Sequence, residues 1–332
     1  MATYKGIQGY SVQKLSSDPT AAEAVGQLWY NSDTGAFKIG TSGAGTWASA
    51  NAIPANRLGA GGCGTQTAGV YVGGSQPTPT LNNALEFDGT DWTIGGTMNT
   101  PSIYATFTAG TQTAVVAAGG YSESPAGNKT ATEKYDGTTW TTGNPMVGIA
   151  RDGGGCAGIQ TAAIGFGGNQ AGSQKLVEEY DGTSWTAATA MTSDHARCFS
   201  SQTGTQTAAL CIAGNNPGIV EEWNGSTWTE KGDVNTPRQY GGGTGTVTAA
   251  LIVAGYPPSG SGTKNTETEK YDGTSWTEVG DITTAKAYIY GFGTQSAAVL
   301  AGGVTGPSST ANSTTNEVWN DPVYTIKTVT VS

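Results

Sequence analysis

Glu269-Lys270-Tyr271-Asp272-Gly273-Thr274-Ser275-Trp276 decides the reading of this chain, because the stretch keeps returning. Glu133-Lys134-Tyr135-Asp136-Gly137-Thr138-Thr139-Trp140 is almost identical. Shorter copies run from Glu86 to Trp92, Glu179 to Trp185 and Glu222 to Trp228, and Glu317-Val318-Trp319-Asn320 opens a sixth that never reaches its Trp. A period in the forties marks a repeat architecture. The Asp-Gly or Asn-Gly pair inside the copies is a tight-turn signal between two strands.

Working outward, a second element is nearly as constant. Thr65-Gln66-Thr67-Ala68, Thr111-Gln112-Thr113-Ala114, Ile159-Gln160-Thr161-Ala162, Thr205-Gln206-Thr207-Ala208, Thr246-Val247-Thr248-Ala249 and Thr294-Gln295-Ser296-Ala297 each sit between a Gly-rich run and an apolar run that ends in Gly. Each unit therefore reads as a Trp strand, a loop often carrying Pro and a basic residue, a Gly-rich strand, a turn, an apolar strand, a loop and a Glu-x-Tyr strand. Four short strands per unit of about 45 residues is the pattern of a β-propeller blade. Runs such as Gly153-Gly154-Gly155 and Gly241-Gly242-Gly243 suit innermost strands that converge on an axis. The Trp residues at 47, 92, 140, 185, 228 and 276 are expected between adjacent blades, where a large ring has most to bury. The expected fold is all-β, a six-bladed propeller over 46–320 with a short N-terminal arm and hairpin over 1–45.

The ends carry a topological clue. The first Trp strand precedes any Glu-x-Tyr strand, and the last Glu-x-Tyr strand lacks a Trp. The strand around Trp47 is therefore expected to complete the blade that holds Trp319. The rival is Val323–Val331, which alternates well enough to be a strand; otherwise 321–332 is a tail. Residues Gln27–Asn31 and Ala36–Ile39 flank Ser32-Asp33-Thr34-Gly35 and read as a strand, turn and strand.

With 52 Gly, a net charge of −10 and no basic cluster, the chain offers little to nucleic acid or to an anionic membrane. No apolar run approaches the ~20 residues of a membrane helix, and the first residues lack the apolar core of a secretion signal. Four Cys are not a disulfide framework. Cys198 and Cys211 flank the turn read near Gly204-Thr205, which leaves open a cross-strand disulfide or a pair of buried thiols.

The Gly-Gly doublets, the Tyr-Asp-Gly turn and the following Trp resemble kelch repeats, a family that includes the galactose-oxidase propeller. Closer still is a resemblance to kelch-like structural proteins of marine bacteriophages, carried by Leu15-Ser16-Ser17-Asp18-Pro19, Gly26-Gln27-Leu28-Trp29-Tyr30-Asn31 and Gly45-Thr46-Trp47-Ala48-Ser49. That resemblance implies a non-enzymatic virion component of tail-fibre or accessory type, assembled in the host cytoplasm. Residues 1–45 would anchor it to other virion proteins, and the variable loops would contact host surface, glycan or protein. The alternatives are a purely architectural virion or decoration protein and a carbohydrate-active enzyme.

A copper-radical site like that of galactose oxidase needs two His, and this chain has only His195. His195 reads as a loop residue with local hydrogen bonds. No nucleophile elbow, Walker loop or metal-spaced His or Cys cluster is present, so no cofactor or metal is expected. A basic residue recurs before the Gly strand, at Arg57, Arg151, Arg197, Arg238 and Lys286, with Ser102 in the second unit. Those cations are expected to pair between blades with the recurrent Glu, including Glu133, Glu179 and Glu269. Variable loops on one face are the expected binding surface. There, Tyr121, Asn169, Asn215, Asn216 and Tyr256 offer the aromatic faces and amides that suit sugars.

Overall fold

The computed structural model describes residues 12–20, 23–75, 81–100, 107–123, 125–172, 174–200, 202–215, 218–258, 263–305 and 313–329. The described residues form strands and loops and no helix, so none could cross a membrane as a helix. The chain divides into two compact units, Thr46–Asn320 and Met1–Gly45 with Asp321–Ser332.

The larger unit holds six four-stranded antiparallel sheets, each following the strand order of one repeat. Sheet 1 runs Gly61–Thr65, Ala68–Val72, Asn83–Phe87, Trp92–Thr97. Sheet 2 runs Phe107–Thr111, Ala114–Ala118, Thr132–Tyr135, Trp140–Gly143. Sheet 3 runs Gly155–Ile159, Ala162–Phe166, Val177–Tyr180, Trp185–Ala187. Sheet 4 runs Phe199–Ser200, Ala209–Ile212, Val220–Trp223, Trp228–Lys231. Sheet 5 runs Gly242–Thr246, Ala249–Val253, Thr268–Tyr271, Trp276–Val279. Sheet 6 runs Gly291–Gly293, Ala297–Ala301, Asn316–Asn320 and takes its fourth strand, Thr46–Ala50, from the start of the unit. Trp47 lies opposite Trp319 in that last pairing.

Burial falls from the first strand to the fourth. The second strands are buried on both faces, and the fourth strands bury little beyond their Trp. This is why the second strands read as continuous apolar runs and the fourth as polar ones. Six apolar clusters follow, one between each successive pair of sheets. Sheets 1 and 2 share Val70, Val72, Val115, Tyr135 and Trp140. The sixth cluster joins sheet 6 to sheet 1 through Phe292, Val299, Tyr71, Phe87 and Trp92. In sheets 1–5 the aromatic residue before the Asx-Gly turn packs on the Trp after it, as in Tyr135–Trp140 at 4.8 Å between ring centroids, and in sheet 6 Trp319 packs on Trp47 of the distant fourth strand at 5.5 Å. Such pairs add about 0.5–1.5 kcal/mol beyond area burial.

Two features fasten sheet to sheet. The Trp indoles reach the preceding sheet: Trp140 donates to Gly96 O, Trp276 to Gly232 O, Trp185 to Thr132 Oγ1 and Trp47 to Thr268 Oγ1. The turn Gln reaches it too. Gln160 Nε2 donates to Val115 O and Tyr135 O, at 3.0 and 2.6 Å. Gln112, Gln206 and Gln295 repeat this one sheet away each time, and Gln66 of sheet 1 reaches Ala298 O and Trp319 O of sheet 6. Sheet 5 has Val247 in this place, packed on the cluster between sheets 4 and 5.

Close approach explains part of the glycine content. A Cβ on Gly154 or Gly241 would collide with Phe107 or Phe199 of the preceding sheet's inner strand. Elsewhere the hairpin itself demands glycine: Gly158 has φ +112, and its Cβ would meet Ala162 O at 2.3 Å.

In the smaller unit, Gln13–Leu15, Leu28–Asn31, Ala36–Gly43 and Val323–Thr328 form one mixed sheet. The tail strand thus pairs with Ala36–Gly43. Asp18 binds the Trp29 indole and the Asn31 amide, at 3.0 and 2.6 Å.

Candidate ligand-binding site

The recurring cations and carboxylates are buried beneath the connections between sheets. Arg151 pairs with Glu178 at 2.8 Å, Arg238 with Glu269 at 2.9 Å and Lys286 with Glu317 at 3.0 Å. Each pair lies within one sheet, not between neighbours as expected from the sequence. The carboxylates also cap the connection that enters the sheet. Glu178 accepts from Val147 N and Gly148 N, Glu133 from Asn99 N and Thr100 N, and Glu269 from Asn235 N and Thr236 N.

Two sequence assignments need correction. Glu179 is not the pairing residue; strand alternation turns Glu178 inward and leaves Glu179 half-exposed on the other face. Arg197 is not the cation of sheet 4. Counting back from the Thr205 turn lands on Arg197, but this sheet carries two extra residues before its turn. His195 occupies the cation position instead, fully buried, with Nε2 3.0 Å from Glu221 Oε2 and Nδ1 2.9 Å from Ala213 O. It lies in a connection, as expected, but its hydrogen bonds reach Ala213 and Glu221, 18 and 26 positions on, and are not local ones. Burial opposes its charge, but the Glu221 hydrogen bond and nearby charges outweigh that and raise its pKa. In sheet 1 Leu85 stands where the other sheets have Glu, and Arg57 donates to Gly73 O, Asn83 O and Asn83 Oδ1. Burial lowers the Arg57 pKa to about 10. Ser102 lies outside the described residues.

Two residues beyond each of the five described cation positions the chain turns left-handed. Gly59, Gly153, Arg197, Tyr240 and Tyr288 have φ of 65, 64, 60, 59 and 53°. These five are linked along a collar of main-chain hydrogen bonds. Arg197 N donates to Gly153 O, Tyr240 N to Arg197 O, Ile289 N to Tyr240 O and Gly59 N to Tyr288 O. A left-handed conformation costs a non-glycine residue about 1–2 kcal/mol, so the Arg and two Tyr here are strained where sheets 1 and 3 simply use glycine.

A cavity of about 330 Å³ opens at this collar, within the size range of small-ligand sites. Gly59, Gly153, Tyr240, Tyr288 and Tyr290 line it. Tyr121, Asn128, Asp152, Asn169 and Gln170 complete it. Tyr240 and Tyr288 rings lie 4.0 Å apart, and the Arg197 guanidinium stacks on Tyr240 at 5.0 Å. Burial raises the Asp152 carboxyl to about 6, against the opposing pull of the Arg197 charge and an Asn128 hydrogen bond.

The sequence-derived loop residues divide accordingly. Tyr121 and Asn169 line the cavity. Tyr256 instead packs edge-on against Tyr288 at 5.6 Å, beneath the Lys264 ammonium. Asn215 ties its loop to the connection that enters sheet 4, its Oδ1 accepting from Ala196 N. Asn216 lies outside the described residues. Sequence reasoning missed Asp152, Tyr240 and Tyr288. Their signal was their place two residues or fewer after the basic residue, at the mouth of each inner strand.

All four Cys are buried and unbridged. Among the described residues no His, Cys, Asp and Glu gather into a group able to hold a metal ion. Comparison with protein-family models and with curated proteins finds no match.

Proposed function

We propose that the six sheets are the blades of a six-bladed, kelch-like β-propeller that works as a non-enzymatic saccharide-binding module. The observation that carries this is the cavity at the collar, where tyrosine rings and convergent amide and carboxylate groups meet at the entrances of the inner strands. Aromatic faces with a few fixed polar groups are what a small polar ligand needs for orientation. Asp152 is the one carboxylate in the described lining, whereas glycoside hydrolysis ordinarily uses a flanking pair, which favours binding over hydrolysis. The cyclic series of inter-sheet clusters and Gln bonds supports the propeller reading.

The resemblance to kelch-like phage structural proteins supports a place on a virus particle, with the smaller unit as its attachment to other virion proteins and host surface glycan as the ligand. Probing the purified chain against an array of host-type surface glycans tests the module. Saturable binding that free sugar competes away is the expected result. Absence of binding to every glycan, at protein concentrations up to the millimolar range, overturns it.

A further inference from the structure

Strain placed where glycine would serve points to function rather than fold. The collar position is filled by Gly59 and Gly153 in two sheets, in the same backbone conformation as Tyr240 and Tyr288. The main chain therefore does not need the tyrosines. Both rings line the cavity, and they stack on each other. At Gly153 a Cβ would sit in ordinary contact, 3.7 Å from Asn169 Cβ and 3.8 Å from Arg197 N and Cα, so a small side chain fits there without displacing main chain.

Resting on the saccharide-binding reading, we infer that the collar selects an uncharged pyranose. The sugar sits in the cavity beside Gly59 and Gly153 with its ring against Tyr288. Its hydroxyls donate to Asp152 and bond the side-chain amide of Asn169. The chemistry for this choice is local. A sugar's C–H face suits a tyrosine ring, whereas its hydroxyls need fixed acceptors and donors at the rim. An ionised Asp152 at the rim repels the carboxylates of uronic and sialic acids. Neither neighbouring cation is part of the lining: Arg197 is stacked on Tyr240 and Lys264 on Tyr256.

The test uses the full chain, an array of glycans ending in glucose, galactose, mannose, N-acetylglucosamine, glucuronic acid or N-acetylneuraminic acid, and three variants. Gly153→Asn tolerates the left-handed backbone and adds a side chain at the cavity lining, so neutral-sugar binding should fall at least tenfold with Tm within about 3 °C of the parent. Tyr288→Gly should lose binding to the same degree without the Tm drop normal for removing an aromatic ring, because the strain leaves with it. Tyr288→Phe keeps the ring and should bind within about threefold. Neutral-sugar binding that survives both Gly153→Asn and Tyr288→Gly places the sugar elsewhere and overturns the inference while the module reading stands. Preference for the acidic termini overturns it in the same way. No binding to any glycan removes the module reading itself.

Discussion

Replacing Gln160 by Ala isolates what the turn glutamines do. The side chain bridges sheet 3 to two main-chain carbonyls of sheet 2, at 3.0 and 2.6 Å. A neutral hydrogen bond contributes about 0.5–1.5 kcal/mol net, so losing both should cost about 1–3 kcal/mol. At ~2 °C per kcal/mol for a unit of this size, Tm falls by about 2–6 °C. Urea denaturation followed by Trp fluorescence reads the change, and the slope with denaturant should stay constant because no surface is reorganised. The converse variant is available in the same molecule. Val247→Gln puts a donor opposite the carbonyls of Ala209 and Trp223, which stand in sheet 4 in the register of Ala163 and Tyr180 in sheet 3. It should gain about 1 kcal/mol. A Gln160→Ala protein within about 0.5 kcal/mol of the parent would refute the reasoning, since the bonds would then be mere geometry.

Glu269→Gln breaks the buried pair with Arg238 and should destabilise by about 3–5 kcal/mol in equilibrium unfolding, the cost of leaving a buried charge alone. The His195–Glu221 pair sets a pH signature. The imidazole pKa is raised in the fold, so its contribution is complete below the ordinary value near 6.5 and fades as pH climbs through the folded value. Glu221 is held low, chiefly by His195 and Thr192 against its burial, so its contribution is lost on the acid side as pH falls through its folded value. His195→Arg should remove the alkaline decline, and an unchanged decline would assign it to another group. Sugar binding should weaken as pH falls through about 6, where Asp152 takes a proton, and Asp152→Asn should flatten that profile. Thiol reagents should find no Cys in the native protein and four after denaturation, because burial shields the thiols and raises Cys156 to about 12.

Much of this structure is legible in the sequence because strand alternation, Asx-Gly turns and the Trp spacing are local patterns. The unpaired Trp47 strand is visible by bookkeeping alone, and it does lie against Trp319. What stayed hidden depends on partners far away in sequence. Gln160 reads as a turn residue until its acceptors, 45 and 25 positions back, are in place. The Glu178-Glu179 tandem offers two carboxylates to one cation, and only the pleat chooses between them. Sheet 4 hides its cation because two extra residues between Ser200 and Thr205 shift the count, which passes over His195 and makes Arg197 an apparent partner. The binding residues were half found for a similar reason. Tyr121 and Asn169 sit on recognisable variable loops, whereas Asp152, Tyr240 and Tyr288 come from the repeat itself and looked like scaffold.

The strand that completes sheet 6 is made first and used last. Thr46–Ala50 leaves the ribosome roughly 270 residues before Asn316–Asn320, its only partner in the sheet. At ~5–20 residues per second, that is on the order of tens of seconds during which Trp47 and an open strand edge have nowhere to dock. On a polysome, the nearest Asn316–Asn320 edge still lacking its fourth strand then belongs to an older nascent chain, and the strand fits it equally well. Crowded synthesis should therefore yield strand-exchanged dimers and longer linear chains, and slow dilution refolding should yield closed monomers.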